Sequence, residues 1–307
     1  MISFRYHVVS LVAVLLSLAA GVALGGGPLS DLGRGAGSAS AERAEARADA
    51  LTQELDRLEG TAAFQDQVAG TLGVQALNNR LTRRPVTLVT LPGVDQEVVD
   101  QLGELVARSG GSVAATYAAQ PGLVVPTGKS LVDTLGSQVL ESVGRTGIPP
   151  EATTYERMGQ LIGRAVATPE DRGARVDGVG SDILSSLRGA ELLTRSSGGD
   201  VRGSLVVVVL GEEPAEVEGV ENIVGGLSTG LAAQADGLVV AGSTDSAADG
   251  LLGLLREEAS LPETASSVDS VQTVTGRVTT VLALAAAADG EPGHYGALGI
   301  DGALPRG

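Results

Sequence analysis

The first 27 residues carry the most apolar pattern in the chain. Between Tyr6 and Ser30 no residue has a permanent charge, and residues 8–24 are mostly aliphatic or alanine. At a rise of about 1.5 Å per residue, such a segment can cross a hydrocarbon core of about 30 Å. We therefore predict a transmembrane helix at residues 6–27, with residues 1–5 in the cytoplasm because Arg5 lies on the short side. Its predicted anchoring residues are Val8, Val9, Leu11, Val12, Val14, Leu15, Leu16 and Leu18.

Two other interpretations of this segment stay open. A buried helix of a soluble domain rarely has an apolar stretch of this length. A cleaved signal peptide fits the small residues Gly21, Val22 and Ala23, but the apolar run exceeds the usual length of about 7–15 residues. Anchor and signal peptide both export the remaining chain. We expect a single-pass protein of the plasma membrane with its bulk on the extracytoplasmic side.

A second pattern follows the apolar segment. Residues 28–40 are rich in glycine and serine and predict a flexible spacer. Over residues 41–82, apolar residues recur at spacings of four and three, which is typical of a coiled coil. We call these positions the seam: Ala44, Ala48, Leu51, Leu55, Leu58, Ala62, Gln65, Ala69, Leu72 and Ala76. Charged residues flank it: Glu42, Arg43, Glu45, Arg47, Glu54 and Arg57.

The seam requires a partner, because only one such helix precedes the next domain. A parallel homodimer is the simplest prediction, with Leu51, Leu55, Leu58 and Leu72 as partner-binding residues. Gly60, Gly70 and Gly73 interrupt the seam and predict modest affinity. The alternative is an amphipathic helix lying on its own globular domain, which usually needs a wider apolar stripe.

From residue 85 onward, short apolar runs alternate with segments of helical periodicity. We expect strands at residues 86–91, 112–117, 205–210, 237–241 and 268–271. We expect helices at residues 95–108, 131–143, 155–167, 181–193, 220–235, 247–258 and 273–288. This alternation predicts an α/β sandwich with a mostly parallel, Rossmann-like sheet over residues 85–307. The helices between residues 131 and 193 predict an insertion or cap on that sheet.

Composition narrows the class of function. In 307 residues, 43% are hydrophobic and 2% aromatic, so an aliphatic core is expected. The net charge of −16 argues against nucleic acid as a partner. The absence of cysteine excludes disulfides and thiolate metal sites. Of the side chains that copper(I) prefers, the chain has His7, His294, Met1 and Met158. We expect no cofactor. His294 is a weak candidate for a metal ligand, and we expect it rather to be a loop residue that is hydrogen-bonded into the domain.

Three glycine-containing motifs invite chemical interpretations. Pro126-Thr127-Gly128-Lys129-Ser130 resembles a phosphate loop but has Leu123 where its spacing needs glycine, so we expect Lys129 and Ser130 to cap a helix. Residues 225–230 (GGLSTG) lie within a predicted helix, which is the wrong context for dinucleotide binding. Residues 242–245 (GSTD) follow a strand and fit a helix cap better than a ligand site. No nucleophile lies beside an evident base, so we do not expect an enzyme.

Two stretches resemble a known family. The opening MISFRYHVVSLVAV at residues 1–14 is similar to the start of the actinobacterial copper transport protein MctB family. The tail is similar as well, with VDSV at residues 268–271, Gly276, VLAL at 281–284, GHYG at 293–296 and Leu304-Pro305. The resemblance implies copper homeostasis, with a channel or efflux role in the envelope. A related branch, the SteB-like envelope proteins, implies a SteA-like membrane partner and a peptidoglycan hydrolase in septal assembly.

Two functional hypotheses follow. The first is a non-enzymatic coiled-coil scaffold or regulator of cell-envelope assembly, which needs a partner for the seam. The alternative is an oligomeric channel component that exports copper. One transmembrane helix cannot enclose a pore without oligomerising, and copper ligands are scarce, so the residues favour the scaffold.

Overall fold

A computed structural model describes residues 29–144, 148–149, 151–211 and 219–306. The described chain divides after residue 64 into two units, residues 29–64 and residues 65–306. The predicted transmembrane helix at residues 6–27 lies outside the described residues. Among the residues that are described, no helix combines the length and the apolarity needed to cross a membrane.

One long helix, α1 (Leu29–Ala76), opens the described chain. The prediction of a flexible spacer is wrong for residues 29–40, because the chain is helical from Leu29 onward. Once a helix is nucleated, each added residue gains a hydrogen bond, so the alanine-rich sequence that follows can extend the helix through the glycines. The helix predicted over residues 41–82 is present but ends at Ala76.

The second unit alternates strands and helices, as its periodicity predicts. The strands are β1 (Pro85–Thr90), β2 (Ser112–Ala119), β3 (Ala174–Arg175), β4 (Leu193–Gly198), β5 (Val201–Arg202), β6 (Leu205–Val209), β7 (Gly237–Ala241), β8 (Ala265–Val268) and β9 (His294–Tyr295). The helices after α1 are α2 (Gln96–Arg108), α3 (Pro121–Val124), α4 (Lys129–Val143), α5 (Thr154–Val166), α6 (Gly178–Gly189), α7 (Val220–Ala232), α8 (Thr244–Ala248), α9 (Leu251–Glu257) and α10 (Val274–Ala288).

Seven strands form one sheet in the order β4-β2-β1-β6-β7-β8-β9. Neighbouring strands from β2 to β9 pair in parallel, and β4 at the edge is antiparallel to β2. All residues of β1, β6 and β7 are buried, which is why residues 205–210 read as an uninterrupted apolar run. The mostly parallel sheet is therefore confirmed.

Each face of the sheet buries its own apolar cluster, because alternate residues of a strand point to opposite sides. Val206 and Val208 lie in the cluster that contains Met158 of α5. Val207 and Val209 lie in the other cluster, which contains residues of α2 and α10 together with Leu77. Both faces of the sheet are covered, as expected for a parallel sheet.

Three predicted elements differ from the structure. The helix expected at residues 181–193 ends at Gly189, and Leu193 instead begins β4, whose polar outer residues suit an edge strand. The helix expected at residues 247–258 is divided into α8 and α9 around Asp249 and Gly250. The strand expected at residues 268–271 lies earlier, at Ala265–Val268, because Ser270 adopts a positive φ of 63° and turns the chain away from the sheet.

The last turns of α1, within the second unit, lie against α10. A Cβ at Gly73 would approach Val278 Cγ2 to 2.8 Å, so only glycine permits this close contact. The Asp66 carboxylate accepts a hydrogen bond of 3.2 Å from the backbone N–H of Val274 at the start of α10. Leu77, just beyond the helix, is completely buried. Gly73 was expected to weaken a coiled coil, but it instead permits a close contact within the chain. For residues 65–76, the alternative prediction therefore holds, namely a helix that lies on its own globular domain.

Candidate functional site

A buried polar cluster lies at the carboxyl end of β8. Asp269 follows this strand directly and is completely buried. Its Oδ1 accepts hydrogen bonds from Ser270 Oγ at 2.8 Å and from the backbone N–H of Ala297 at 2.7 Å. Its Oδ2 accepts from Arg256 Nη1 and from the backbone N–H of Leu298, each at 3.1 Å. Four donors therefore surround one carboxylate.

Arg256 of α9 joins this carboxylate to the C-terminal segment. Its Nη2 donates to the carbonyl oxygen of Tyr295 at 2.9 Å, and its Nε donates to Ser267 Oγ at 2.8 Å. Ser267 Oγ also lies 2.9 Å from His294 Nδ1. Burial lowers the pKa of His294, with Arg256 acting in the same direction and Asp301 opposing them. We call Asp269, Arg256, Ser267 and His294 the C-terminal clamp.

Two glycines allow the chain to approach the clamp. A Cβ at Gly296 would overlap the Asp269 carboxylate, and Gly296 has a positive φ of 121°. A Cβ at Gly276 would overlap the carbonyl oxygen of Ser270, whose own φ is positive. The tail motifs at residues 268–271, 276 and 293–296 are therefore brought together in one place. Their residue types are explained by packing and hydrogen bonding around Asp269.

The clamp is saturated with internal partners. A carboxylate offers about four acceptor positions, and those of Asp269 all have donors. Ser267 and His294 have the residue types of a nucleophile and its base, but Ser267 is completely buried and its hydroxyl also accepts from Arg256. A substrate or a metal ion would have to displace these bonds. The geometry thus supports a structural role, which is to fix residues 294–298 against β8 and α9.

The three glycine-containing motifs have structural roles. Residues 126–128 form a 3-10 turn before α4. The N-cap of α4 is Gly128, which has no side chain to accept a hydrogen bond. The prediction that Lys129 and Ser130 cap the helix is therefore wrong. The cap prediction for residues 242–245 is confirmed, because Ser243 Oγ accepts from the backbone N–H of Ser246 at 3.0 Å. Residues 225–230 lie inside α7, as predicted, where a Cβ at Gly230 would overlap the backbone of α5.

The sheet has a topological switch point between β1 and β6, where open α/β sheets commonly bind ligands. Within the described residues this edge is closely packed. A Cβ at Gly211, after β6, would overlap the carbonyl oxygen of Pro92, after β1. The backbone N–H of Leu91 also donates to the carbonyl oxygen of Val209 at 2.9 Å. These contacts hold the described parts of the two loops against each other.

The candidate copper ligands do not meet in the part of the chain that the structure describes. His294 belongs to the clamp and lies on strand β9, not in a loop, whereas Met158 of α5 is completely buried in an apolar cluster. No group of three or more histidine, cysteine, aspartate or glutamate side chains in this part is arranged to hold a metal ion. Met1 and His7 lie outside the described residues.

The predicted contact residues of the seam are exposed. In the first unit, Leu51, Leu55 and Leu58 have 60%, 58% and 50% of their surface accessible. In the second unit, Leu72 is 59% exposed. The exposure of the three leucines in the first unit agrees with a surface that awaits a partner, and pairing itself stays a prediction. The predicted anchoring residues, from Val8 to Leu18, lie outside the described residues.

Sequence reasoning missed the clamp as a structural unit. Asp269 follows a buried strand, and Arg256 follows the apolar run LLGLL of α9. Opposite charges next to buried apolar runs are a signal for a buried ion pair, since buried charges are usually paired. The pairing over 13 residues could not be read from spacing alone, because it depends on how α9 lies beside β8.

The fold and these sites define an α/β domain that follows a long helix and holds its own C-terminal segment by a buried ion pair. The chain belongs to the family described as "Copper transport outer membrane protein, MctB", whose model matches residues 1–305. The copper transporter MctB of Mycobacterium tuberculosis (strain ATCC 25618 / H37Rv) is 28% identical over 315 residues, which cover 96% of each chain. That of Mycobacterium leprae (strain TN) is 27% identical over 329 residues, covering 98% of this chain and 96% of the relative.

These comparisons confirm the resemblance seen in the sequence. The names of the family and of these relatives describe copper transport and not catalysis. The family description names an outer membrane, which agrees with an envelope-associated protein but does not specify a single-pass anchor in the plasma membrane.

Proposed function

We propose that this protein is a membrane-anchored, non-enzymatic protein that serves as a coiled-coil scaffold or regulator of cell-envelope assembly. It acts through contacts of its long helix and not through a copper site in its α/β domain. The seam needs a partner helix, and the predicted anchor raises its effective concentration toward a partner held at the same membrane surface.

One observation carries this proposal. Three leucines of the seam, Leu51, Leu55 and Leu58, are at least half exposed over two helical turns. Burying a leucine side chain is worth about 1.5–3 kcal/mol, so a row of exposed leucines favours an interaction surface over a solvated helix face. In the α/β domain, the polar groups of the C-terminal clamp are engaged in hydrogen bonds with one another.

A second candidate function is copper export by an oligomer, which the names of the family and its relatives favour. Export requires a pore built from several copies, because one helix cannot enclose a channel. Both candidates need assembly, but only export requires copper to pass through the assembly.

The test is a seam variant, Leu51→Ser with Leu55→Ser and Leu58→Ser, in the full-length protein expressed in its host. The matched control is Ala46→Ser with Ala50→Ser, two changes on the outer face of the same helix. We expect the seam variant to lose crosslinking in intact membranes and to cause an envelope or division defect with unchanged copper tolerance.

Two results would decide otherwise. Wild-type crosslinking and wild-type morphology in the seam variant would refute assembly through the seam. Loss of copper tolerance with normal morphology would favour export.

A further inference from the structure

The centre of the seam is short of large apolar side chains. Leu51, Leu55 and Leu58 are followed by Ala62 and preceded by Ala48. A helix pair built on so few leucines gains little from its core. The charged residues that flank the core therefore strongly influence which partner helix binds.

The charges beside the three leucines are acidic. With Leu55 and Leu58 as consecutive core positions, Glu54 and Glu59 are the residues that flank the seam at this level. Both are exposed. Glu54 also binds Arg57 of its own helix, with 2.9 Å between Arg57 Nε and Glu54 Oε2, and this contact lowers the pKa of Glu54 and keeps it ionised.

A second copy is a poor match for these charges. In a parallel pair in register, each flanking residue faces the residue five positions later on the other helix. Glu54 of one copy then faces Glu59 of the other, and symmetry repeats this repulsion on the opposite side. One heptad earlier, Arg47 faces the uncharged Thr52. The central heptads of a homodimer thus contain a repulsive pair and no attractive pair.

We infer that the seam between Leu51 and Leu58 binds a helix of a different protein, with basic residues flanking its apolar core positions. This inference rests on the proposed function and adds the chemistry of the partner. Lys or Arg opposite Glu54 and Glu59 converts two repulsions into two attractions, while the leucines provide the apolar contact. The same charges disfavour pairing between copies and so keep the seam available.

The test measures binding of designed helical peptides to the purified full-length protein in detergent. Two peptides of four heptads share an apolar core, and they differ only in carrying lysine or glutamate at the flanking positions. A third, labelled peptide has the sequence of residues 41–68 and represents a second copy. Fluorescence anisotropy gives the Kd of each, and a scrambled lysine peptide of the same composition measures non-specific attraction to the acidic protein.

We expect the lysine peptide to bind at least about tenfold more tightly than the glutamate peptide and the peptide of residues 41–68, since flanking charges set partner choice. The variant Glu54→Lys with Glu59→Lys should reverse the preference between lysine and glutamate peptides. The matched control, Asp49→Lys with Asp56→Lys, makes the same change in net charge on the outer face and should retain it.

Other outcomes identify which statement fails. Equal affinity for lysine and glutamate peptides, or tightest binding of the peptide of residues 41–68, would overturn the basic partner and leave assembly through the seam standing. Unchanged binding of the lysine peptide after Leu51→Ser, Leu55→Ser and Leu58→Ser would overturn both the basic partner and the proposed use of the seam. Equal binding of the scrambled lysine peptide would also overturn the inference.

Discussion

The buried ion pair between Asp269 and Arg256 yields the sharpest prediction of stability. The side chains of these residues are 0% and 8% exposed, and their closest atoms are 3.1 Å apart. The variant Asp269→Asn keeps the shape of the side chain but removes its charge. Its amide nitrogen must also face one of the donors that now surround the carboxylate, so one buried donor loses its acceptor.

The expected cost follows from this burial. Breaking a buried ion pair by removing one partner costs about 3–5 kcal/mol, because the other charge stays buried without compensation. For a domain of this size, each kcal/mol lowers Tm by about 2–4 °C. We therefore expect Asp269→Asn to lower Tm by roughly 10 °C in a thermal unfolding experiment.

A matched variant removes an equivalent charge at the surface. Asp177 pairs with Arg164 at 2.6 Å, but their side chains are 45% and 23% exposed. This arginine is the main cause that lowers the pKa of Asp177 to about 2, and exposed pairs contribute only about 0–1 kcal/mol. Asp177→Asn should therefore lower Tm much less. Equal effects of the two variants would refute the assignment of Asp269 as the centre of the clamp.

Three further predictions concern single residues. Burial holds the pKa of His294 below its ordinary value, so the unfolded chain binds the proton more readily than the folded chain. The unfolding free energy should therefore fall as the pH drops below about 6.5. Urea unfolding of His294→Asn should show a weaker fall between about pH 7.5 and 5.5. The buried hydroxyl of Ser228 has no hydrogen-bond partner among the described residues, so Ser228→Ala should raise the unfolding free energy by about 1 kcal/mol; a loss would show that the hydroxyl is bonded. Gly296→Ala should lower Tm far more than Gly302→Ala. Both glycines have a positive φ, but only a Cβ at Gly296 would overlap the Asp269 carboxylate. Equal losses of Tm would contradict that contact.

Strands with continuous apolar runs were predictable from sequence because both faces of a parallel sheet are buried. Residues 205–210 and 237–241 were assigned for this reason, and the structure has β6 and β7 there. Edge strands were not predictable in the same way. In β4 the outer residues are polar and exposed, so its sequence resembles the end of a helix. The two-residue β9 is too short to show any periodicity.

The seam was predictable because the periodicity of one helix is local information. The division of α1 between an exposed part and a docked part was not, since it depends on Val274 and Val278 about 200 residues later. The clamp was missed for the same reason, because α9, β8 and β9 bring its residues together only in three dimensions. The conformation of residues 29–40 was predicted wrongly because glycine content was given more weight than the helix that follows.

The central claim is that this protein acts through contacts of its long helix and not through copper held by its α/β domain. The most direct test is the copper content of the purified full-length protein, loaded with Cu(I) and then dialysed against a competing chelator. We predict no stoichiometric copper, and no difference between the wild type and the His294→Asn and Met158→Leu variants. One tightly held copper ion per chain that is lost on His294→Asn would contradict the account and place a metal site at the clamp.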